Sequence, residues 1–288
     1  MTAFIRACAL SCTLLAVLGP LRAQQRMGRT MQQLPPFSDP DLHRRMEDIL
    51  LQMDAFHGDA ALRSINEALV HARADEEARC YLLSYRAEVL YYDGLFNEAM
   101  RDLDDCGTLV DRLGDSTLMA NVYNMKGLLH ENIQDNRLAL PYLRAALRWF
   151  PSRPRARYPV TELHHIHGNL GTYLTALGMH DSAEWHLRRS LALAEEAGAG
   201  RAMAVAWWGL GNLALDQRRH DSTRNHYERS FAVAAEHNDH DIGVDALVGR
   251  ALALASAGLQ QEALRALERA RAYLIEHRSG IGLVTQRN

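Results

Sequence analysis

Residues 169–190 read NLGTYLTALGMHDSAEWHLRRS and residues 209–230 read GLGNLALDQRRHDSTRNHYERS. In these two stretches Gly171 matches Gly211, Ala183 matches Thr223, and Ser190 matches Ser230. The same lattice runs outward in both directions. Ala87, Gly127, Gly171, Gly211 and Ala251 lie 40, 44, 40 and 40 residues apart. Each is followed 12 residues later by Ala99, Ala139, Ala183, Thr223 or Ala263, and 7 residues after that by Cys106, Ala146, Ser190, Ser230 or Ala270. Self-similarity at a fixed period is the mark of a repeat architecture, in which each unit buries its apolar face against the next. Small residues at constant offsets are expected where two helix backbones approach closely.

From Leu42 onward apolar residues recur three and four apart in segments of about 12 to 17 residues, the spacing of amphipathic helices. Short breaks fall at Asp93-Gly94, Gly114-Asp115, Pro151 to Pro154, Gly178, Gly198 to Gly200, His237 to Asp241 and Gly258, and they predict paired helices with no strands. On these residues the chain resembles the tetratricopeptide repeat. The resemblance rests on Asn169-Leu170-Gly171 with Leu174, Gly178, Ala183, Leu187 and Ser190, and on Trp207, Leu210-Gly211, Thr223, Tyr227 and Ser230 in the next unit. Earlier copies carry Tyr123, Gly127, Ala139, Leu143, Ala146 and Pro151, and before them Ala87, Leu90, Gly94, Ala99 and Leu103. A later copy carries Ala251, Leu254, Gly258, Ala263, Leu267 and Ala270, and Ala61, Ile65 and Ala68 mark a weaker leading hairpin that begins near Asp41.

The resemblance covers roughly residues 41–278. It implies an all-α fold, a right-handed α-solenoid of about five to six antiparallel helix hairpins with a concave groove. The unit, near 40 residues, exceeds the usual length of about 34 and resembles the long-unit variety of the family.

Residues 1–23 read as a signal peptide. Arg6 supplies the positive charge, Ala7 to Leu18 the apolar run, Gly19-Pro20 the break, and Ala23 the small residue before cleavage. A buried N-terminal helix is the alternative. Residues 24–40, polar and Pro-containing, read as a flexible linker, residues 41–278 as the repeat domain, and residues 279–288 as a tail. Removing Arg6 and Arg22 with the leader takes the net charge from −3 to about −5, without the basic face that nucleic acid demands. No later segment is long and apolar enough to span a bilayer, so no integral membrane segment is expected after cleavage. The expected location is exported, periplasmic or extracellular.

Cys80 and Cys106 are the cysteines that survive processing. The repeat alignment puts them at adjoining ends of one hairpin, a candidate disulfide in an oxidising compartment. The other reading makes Cys106 a small core residue like Ala146 and Ser190 at equivalent places.

No residue is assigned a catalytic role. His180-Asp181-Ser182 and His220-Asp221-Ser222 resemble pieces of a hydrolase triad, but they are one repeat position seen twice, about a hairpin apart. Their Asp and Ser are expected to serve free amides and the positive end of a helix. His164, His165 and His167 form a dense histidine cluster read as a solvated helix start, since zinc-type spacing with cysteines is lacking, and no metal or other cofactor is expected. Gly198-Ala199-Gly200 lacks the lysine of a phosphate loop. The arginine pairs Arg188-Arg189 and Arg218-Arg219 read as solvated surface.

What the resemblance implies for function lies on the first helix of each pair. Its inward positions fall on Tyr81, Ser84, Tyr85, Glu88, Tyr91 and Tyr92, then Asn121, Asn124, Glu131 and Asn132. They continue through His165, Asn169, Thr172 and Thr175, and end on Trp208, Asn212 and Asp216. Asn169 and Asn212 resemble positions where relatives hold a bound peptide backbone, yet the lysines and arginines of a carboxylate clamp are missing. A tyrosine-rich, mildly acidic groove suits a peptide or helix with aromatic or basic anchors; the alternative use of these tyrosines is packing between hairpins. The chain thus reads as a non-enzymatic interaction scaffold whose partner is a protein or peptide. The second reading is the extracytoplasmic sensor module of a signalling system, whose output domain does not follow here. Oligomeric state is not legible.

Overall fold

A computed structural model describes residues 31–55, 57–132 and 136–277, and within them the chain forms twelve α-helices and one short strand pair. The helices are α1 (Pro40–Asp54), α2 (Gly58–His71), α3 (Glu76–Tyr92), α4 (Phe96–Leu113), α5 (Ser116–Asn132) and α6 (Asn136–Trp149). They continue as α7 (Leu163–Ala176), α8 (His180–Ala197), α9 (Gly200–Asp216), α10 (His220–Glu236), α11 (His240–Ser256) and α12 (Gln260–His277). Odd and even helices pair into six hairpins, and each hairpin stacks on the next, as a solenoid requires. The expected signal peptide and tail lie outside the described residues.

Local chemistry sets the helix ends. Asp39 accepts from the backbone N–H of Asp41 and Leu42 at the start of α1, with Pro40 in the first turn. Asp75 serves α3 in the same way and Asp115 serves α5. The turns inside hairpins pass through left-handed backbone at Gly94, Gly178 and Gly258, with φ of 75°, 69° and 81°. Arg218 takes the equivalent place in the fifth hairpin at φ 57°.

The small-residue lattice sits at helix crossings. A Cβ on Gly127 would stand 2.6 Å from Leu143, one on Gly171 2.6 Å from Leu187, and one on Gly211 2.7 Å from the Tyr227 ring. Each partner is on the second helix of the same hairpin, so the glycine makes room for a large side chain. The third lattice position does different work. Ser190 donates to the carbonyl of His164 at 2.7 Å, Ser230 to that of Ala204 at 2.9 Å, and the Cys106 thiol to that of Cys80 at 3.4 Å. Both cysteines are buried free thiols, and Cys106 occupies the core position of Ser190 and Ser230.

Two expectations need correction. The segment read as a linker is packed where it is described: Met31 and Phe37 are buried, because the main core of the first three hairpins offers them an apolar seat. Strands were not expected, yet Gln32–Gln33 (β1) pairs in parallel with Arg155–Ala156 (β2), with Gln32 N–H donating to Pro154 O and Leu34 N–H to Ala156 O, both at 2.8 Å. Two-residue strands carry no periodicity for a sequence reading to find.

Candidate functional site

The inner face is divided in two by the chain's own connection between α6 and α7. Residues 154–162 do not turn directly into the next helix but run extended along α3 and α5. The backbone N–H of Arg157 donates to the Tyr81 hydroxyl at 2.8 Å, and the Tyr85 hydroxyl donates to Pro159 O at 2.9 Å. Asn121 Oδ1 accepts from the N–H of Thr161 at 3.0 Å, and Asn124 Nδ2 donates to Thr161 Oγ1 at 3.2 Å. Asn169 on α7 completes the chain by donating to Asn124 Oδ1 at 2.9 Å. Tyr81, Tyr85, Asn121 and Asn124 are all buried. Four of the residues assigned to a partner therefore hold an internal segment in the manner expected for a bound peptide, and Tyr81 lies fully beneath it. Burial pushes the Tyr81 hydroxyl well above its ordinary pKa and that of Tyr158 up to about 12, so both stay protonated.

The side chains of this segment are anchored too. Arg157 donates to Glu77 Oε1 at 2.7 Å and to Pro35 O at 2.7 Å, with its guanidinium 5.4 Å from the centre of the Phe37 ring. Tyr158 meets Phe37 at 5.4 Å and Tyr81 at 5.6 Å between ring centres, and its hydroxyl lies 2.9 Å from His43 Nδ1.

Beyond the segment the inner face opens into a cavity of about 1370 Å³. The C-terminal end of α1, the start of α2, α3, α5, Pro159 to Thr161, α7, the start of α9, and His237 to Asp241 all contribute to its wall. Tyr85, Glu88, Tyr92, Asn121, Asn124 and Asn169 of the expected groove residues line it, as do Ser84, Tyr91 and His165. Tyr92 is 57% exposed, with its ring edge-to-face against Tyr91 at 5.4 Å. The concave surroundings desolvate the Tyr92 hydroxyl although its ring is exposed, and with the charge of Glu88 they raise its pKa, so it remains a donor.

His165 opens to the cavity but is not a cation. The N–H of Glu162 donates to its Nδ1 at 3.1 Å, leaving the ring proton on Nε2. Desolvation first and the Arg201 guanidinium second bring its pKa down to about 4. Arg201 itself donates to Asp239 at 2.5 Å and to both oxygens of Asp241 at 3.1 and 2.8 Å. Desolvation opposes its charge, but these carboxylates outweigh that and raise its pKa. In the triad desolvation and then the Asp241 carboxyl raise the pKa of Asp239, while at Asp241 desolvation is outweighed by the bonds from Asp239 and Arg201, which lower its pKa.

The remaining expected residues lie elsewhere. Glu131 is half-buried and its carboxyl pKa is raised by desolvation. Thr172 and Trp208 are half-buried away from the cavity, Asn212 Oδ1 accepts from the buried Tyr227 hydroxyl at 2.6 Å, and Asp216 pairs with His180 at 2.6 Å. Of the positions named beside them, Thr175 turns its hydroxyl onto the carbonyl of Gly171 at 2.9 Å.

Of the histidine cluster only His165 is solvated, so the expected solvated helix start fails at the other two. His164 and His167 are buried, with desolvation lowering their pKa to about 2 and about 4, and His167 Nδ1 lies 2.9 Å from His186 Nδ1. Among the described residues no three metal-ligating side chains converge. Asp181 and Asp221 fall in the first turns of α8 and α10, as the dipole argument requires, but the caps are Met179 and Arg219, without a side-chain bond.

Arg201, Asp239, Asp241, Asp54, Asp59 and Asp93 are site residues that a first-helix inventory misses, since they stand at helix ends on the rim. The extra residues between Gly127 and Gly171, 44 where the other spacings are 40, were the signal for the inserted wall.

Tetratricopeptide repeat family models match residues 162–236 and residues 120–153. No curated protein matches the sequence. Among solved structures, a Rap protein complexed with competence and sporulation factor is 15% identical with a TM-score of 0.64, the match covering 82% of this chain and 64% of the Rap chain. The chain therefore spans under two thirds of that protein. PilW, a type IV pilus biogenesis factor, is 18% identical with a TM-score of 0.58 over 82% of this chain and 94% of its own. BtubC from P. vanneervenii is 16% identical with a TM-score of 0.56 over 78% and 91%. At these identities the likeness is one of fold. Among the described residues no helix is long and apolar enough to cross a membrane. The lattice, the hairpin stack and these matches agree that the chain carries tetratricopeptide repeats and folds as a tetratricopeptide solenoid.

Proposed function

We propose that this protein is an exported, non-enzymatic interaction module that takes a protein or peptide partner into its inner cavity. The observation that carries this reading is the construction of the cavity: helices from the first through the sixth hairpin converge on one space whose wall holds Tyr85, Tyr91 and Tyr92. Tyrosine is a residue of interface hot spots, offering area at low entropic cost. The Rap protein of similar fold was solved complexed with competence and sporulation factor, which supports a fold of this kind receiving another molecule. Export rests on Arg6, Ala7 to Leu18 and Ala23. The starts of α3 and α5, and of α9 and α11, are 40 residues apart, which supports the long-unit variety.

The test places a photo-crosslinking amino acid at Tyr92 and, as control, at Trp185, an exposed residue outside the cavity. Irradiation in the native host's envelope fraction is expected to give a discrete adduct from position 92 alone. Equal labelling at both positions would remove the groove reading. Recovery of the uncleaved chain from the cytoplasm only would remove export.

A further inference from the structure

The cavity wall is electrically lopsided. Asp54, Asp59, Glu88, Asp93, Asp239 and Asp241 face the guanidiniums of Arg63 and Arg201. Arg201 is taken up by Asp239 and Asp241, and His165 is held neutral, so near Tyr91 and Tyr92 the balance is negative. Inside a concave wall of low polarizability, carboxylates act over several ångströms with less screening than on an open surface. An anionic ligand would meet this field unfavourably.

The chain's own segment supplies an independent precedent in the neighbouring stretch of the same face. There an extended backbone is held by asparagine and tyrosine, and its basic residue, Arg157, lies over the Phe37 ring with Glu77 as counter-ion. The open cavity repeats those parts without the arginine. Ring faces are provided by Tyr91 and Tyr92, and acceptors by Asp59 and Asp93, the latter with its carboxylate beside Gly58 at the start of α2.

We propose that the cavity binds an extended polypeptide segment through an arginine or lysine side chain, seated against the Tyr91 and Tyr92 rings and countered by the carboxylates at the α1–α2 and α3–α4 turns. This rests on the reading of the cavity as a partner site and specifies the partner's chemistry. Cation–π contact and ion pairing are each modest when exposed, and they strengthen together where water is partly excluded.

The experiment uses fluorescein-labelled heptapeptide pools with the central residue fixed as arginine, lysine, leucine or glutamate, titrated by anisotropy against the full chain. The arginine and lysine pools are expected to bind about tenfold more tightly than the glutamate pool, with affinity falling as salt rises. Tyr92→Ala and the double variant Asp59→Asn/Asp93→Asn change exposed side chains, so their melting curves should match the parent while binding of the arginine pool weakens about tenfold. Arg63→Glu should strengthen it. Preferential binding of the leucine or glutamate pool would overturn the cationic assignment and leave the partner site standing. Binding of the basic pools undiminished in both wall variants would move the contact elsewhere and overturn it too. If no pool binds and position 92 captures no adduct, both readings fall together.

Discussion

Single positions in a repeat can be judged against their own copies. Arg218 holds φ 57° where Gly178 and Gly258 stand one unit away, and a side chain pays about 1–2 kcal/mol for the left-handed region. Arg218→Gly is therefore expected to raise stability by about 0.5–1 kcal/mol after the entropy of glycine is subtracted, read as a higher denaturant midpoint; an unchanged or lower midpoint would contradict it. The same comparison reinterprets Cys106. Its thiol makes the carbonyl contact that Ser190 and Ser230 make, so Cys106→Ser should stay within about 1 kcal/mol of the parent. Melting curves with and without reductant should coincide, and a drop on reduction would reveal a Cys80–Cys106 bridge instead. His164 gives the molecule a pH dependence. Its folded pKa, about 2, lies below the ordinary 6.5 because burial opposes the charge and the adjoining His165 ring adds to the effect. The unfolded chain takes up a proton near pH 6.5 that the folded chain refuses, so acid favours unfolding, by up to about 1.4 kcal/mol per pH unit below that value. Melts at pH 7.5 and about 5.5 should differ in the parent and differ less in His164→Gln; equal parent melts would rule this out.

Elements were legible in proportion to their repetition. The glycine and alanine lattice located the helix crossings, and Gly127, Gly171 and Gly211 do meet Leu143, Leu187 and Tyr227 of the paired helix. The strap at residues 31–37 and the wall at residues 154–162 were not legible, because each occurs once and is held by backbone pairing and single side chains rather than by a period. The consequence falls on the site: an inward position on a first helix is available to a partner only where the chain has not filled it already. Asn121 and Asn124 point inward as the family pattern implies, and what they hold is Thr161. Asn124→Ala would strand Asn169 as well as Thr161, leaving buried polar groups unmatched, and should destabilise by about 1–3 kcal/mol. Trypsin should then cut faster after Arg155 and Arg157. Unaltered proteolysis with full stability would mean that the wall is secured without Asn124, by Tyr81, Tyr85, Asn121 and Arg157.

At the scale of the whole solenoid, each hairpin packs chiefly on its neighbours, so stability is distributed along the stack and is lowest where a neighbour is missing. The core is unevenly shared. The largest cluster of buried residues joins the first three hairpins with Met31 and Phe37, and α3 alone buries nine residues, from Ala78 to Val89. In α12 the buried residues are Ala263 and Ala270, while Leu264, Leu267 and Ile275 are exposed. The Tyr227 ring is wedged between the last hairpin and the one before it, beside the Arg201–Asp241 ion pair and the Phe231–Tyr273 contact: a Cβ on Gly211 in its own hairpin would come within 2.7 Å of it, and one on Gly249 in the next within 2.5 Å. Amide hydrogen exchange should follow this gradient, fastest in α12 and slowest in α3, since local opening needs only the contacts of the opening unit to break. Gly249→Ala inserts a methyl group where the Tyr227 ring stands, an overpacking worth about 1–3 kcal/mol. It should speed exchange in α11 and α12 and leave α3 at the parent rate. If α3 accelerates equally, the solenoid opens as one cooperative body, and the cavity that spans its hairpins would be lost or kept as a whole.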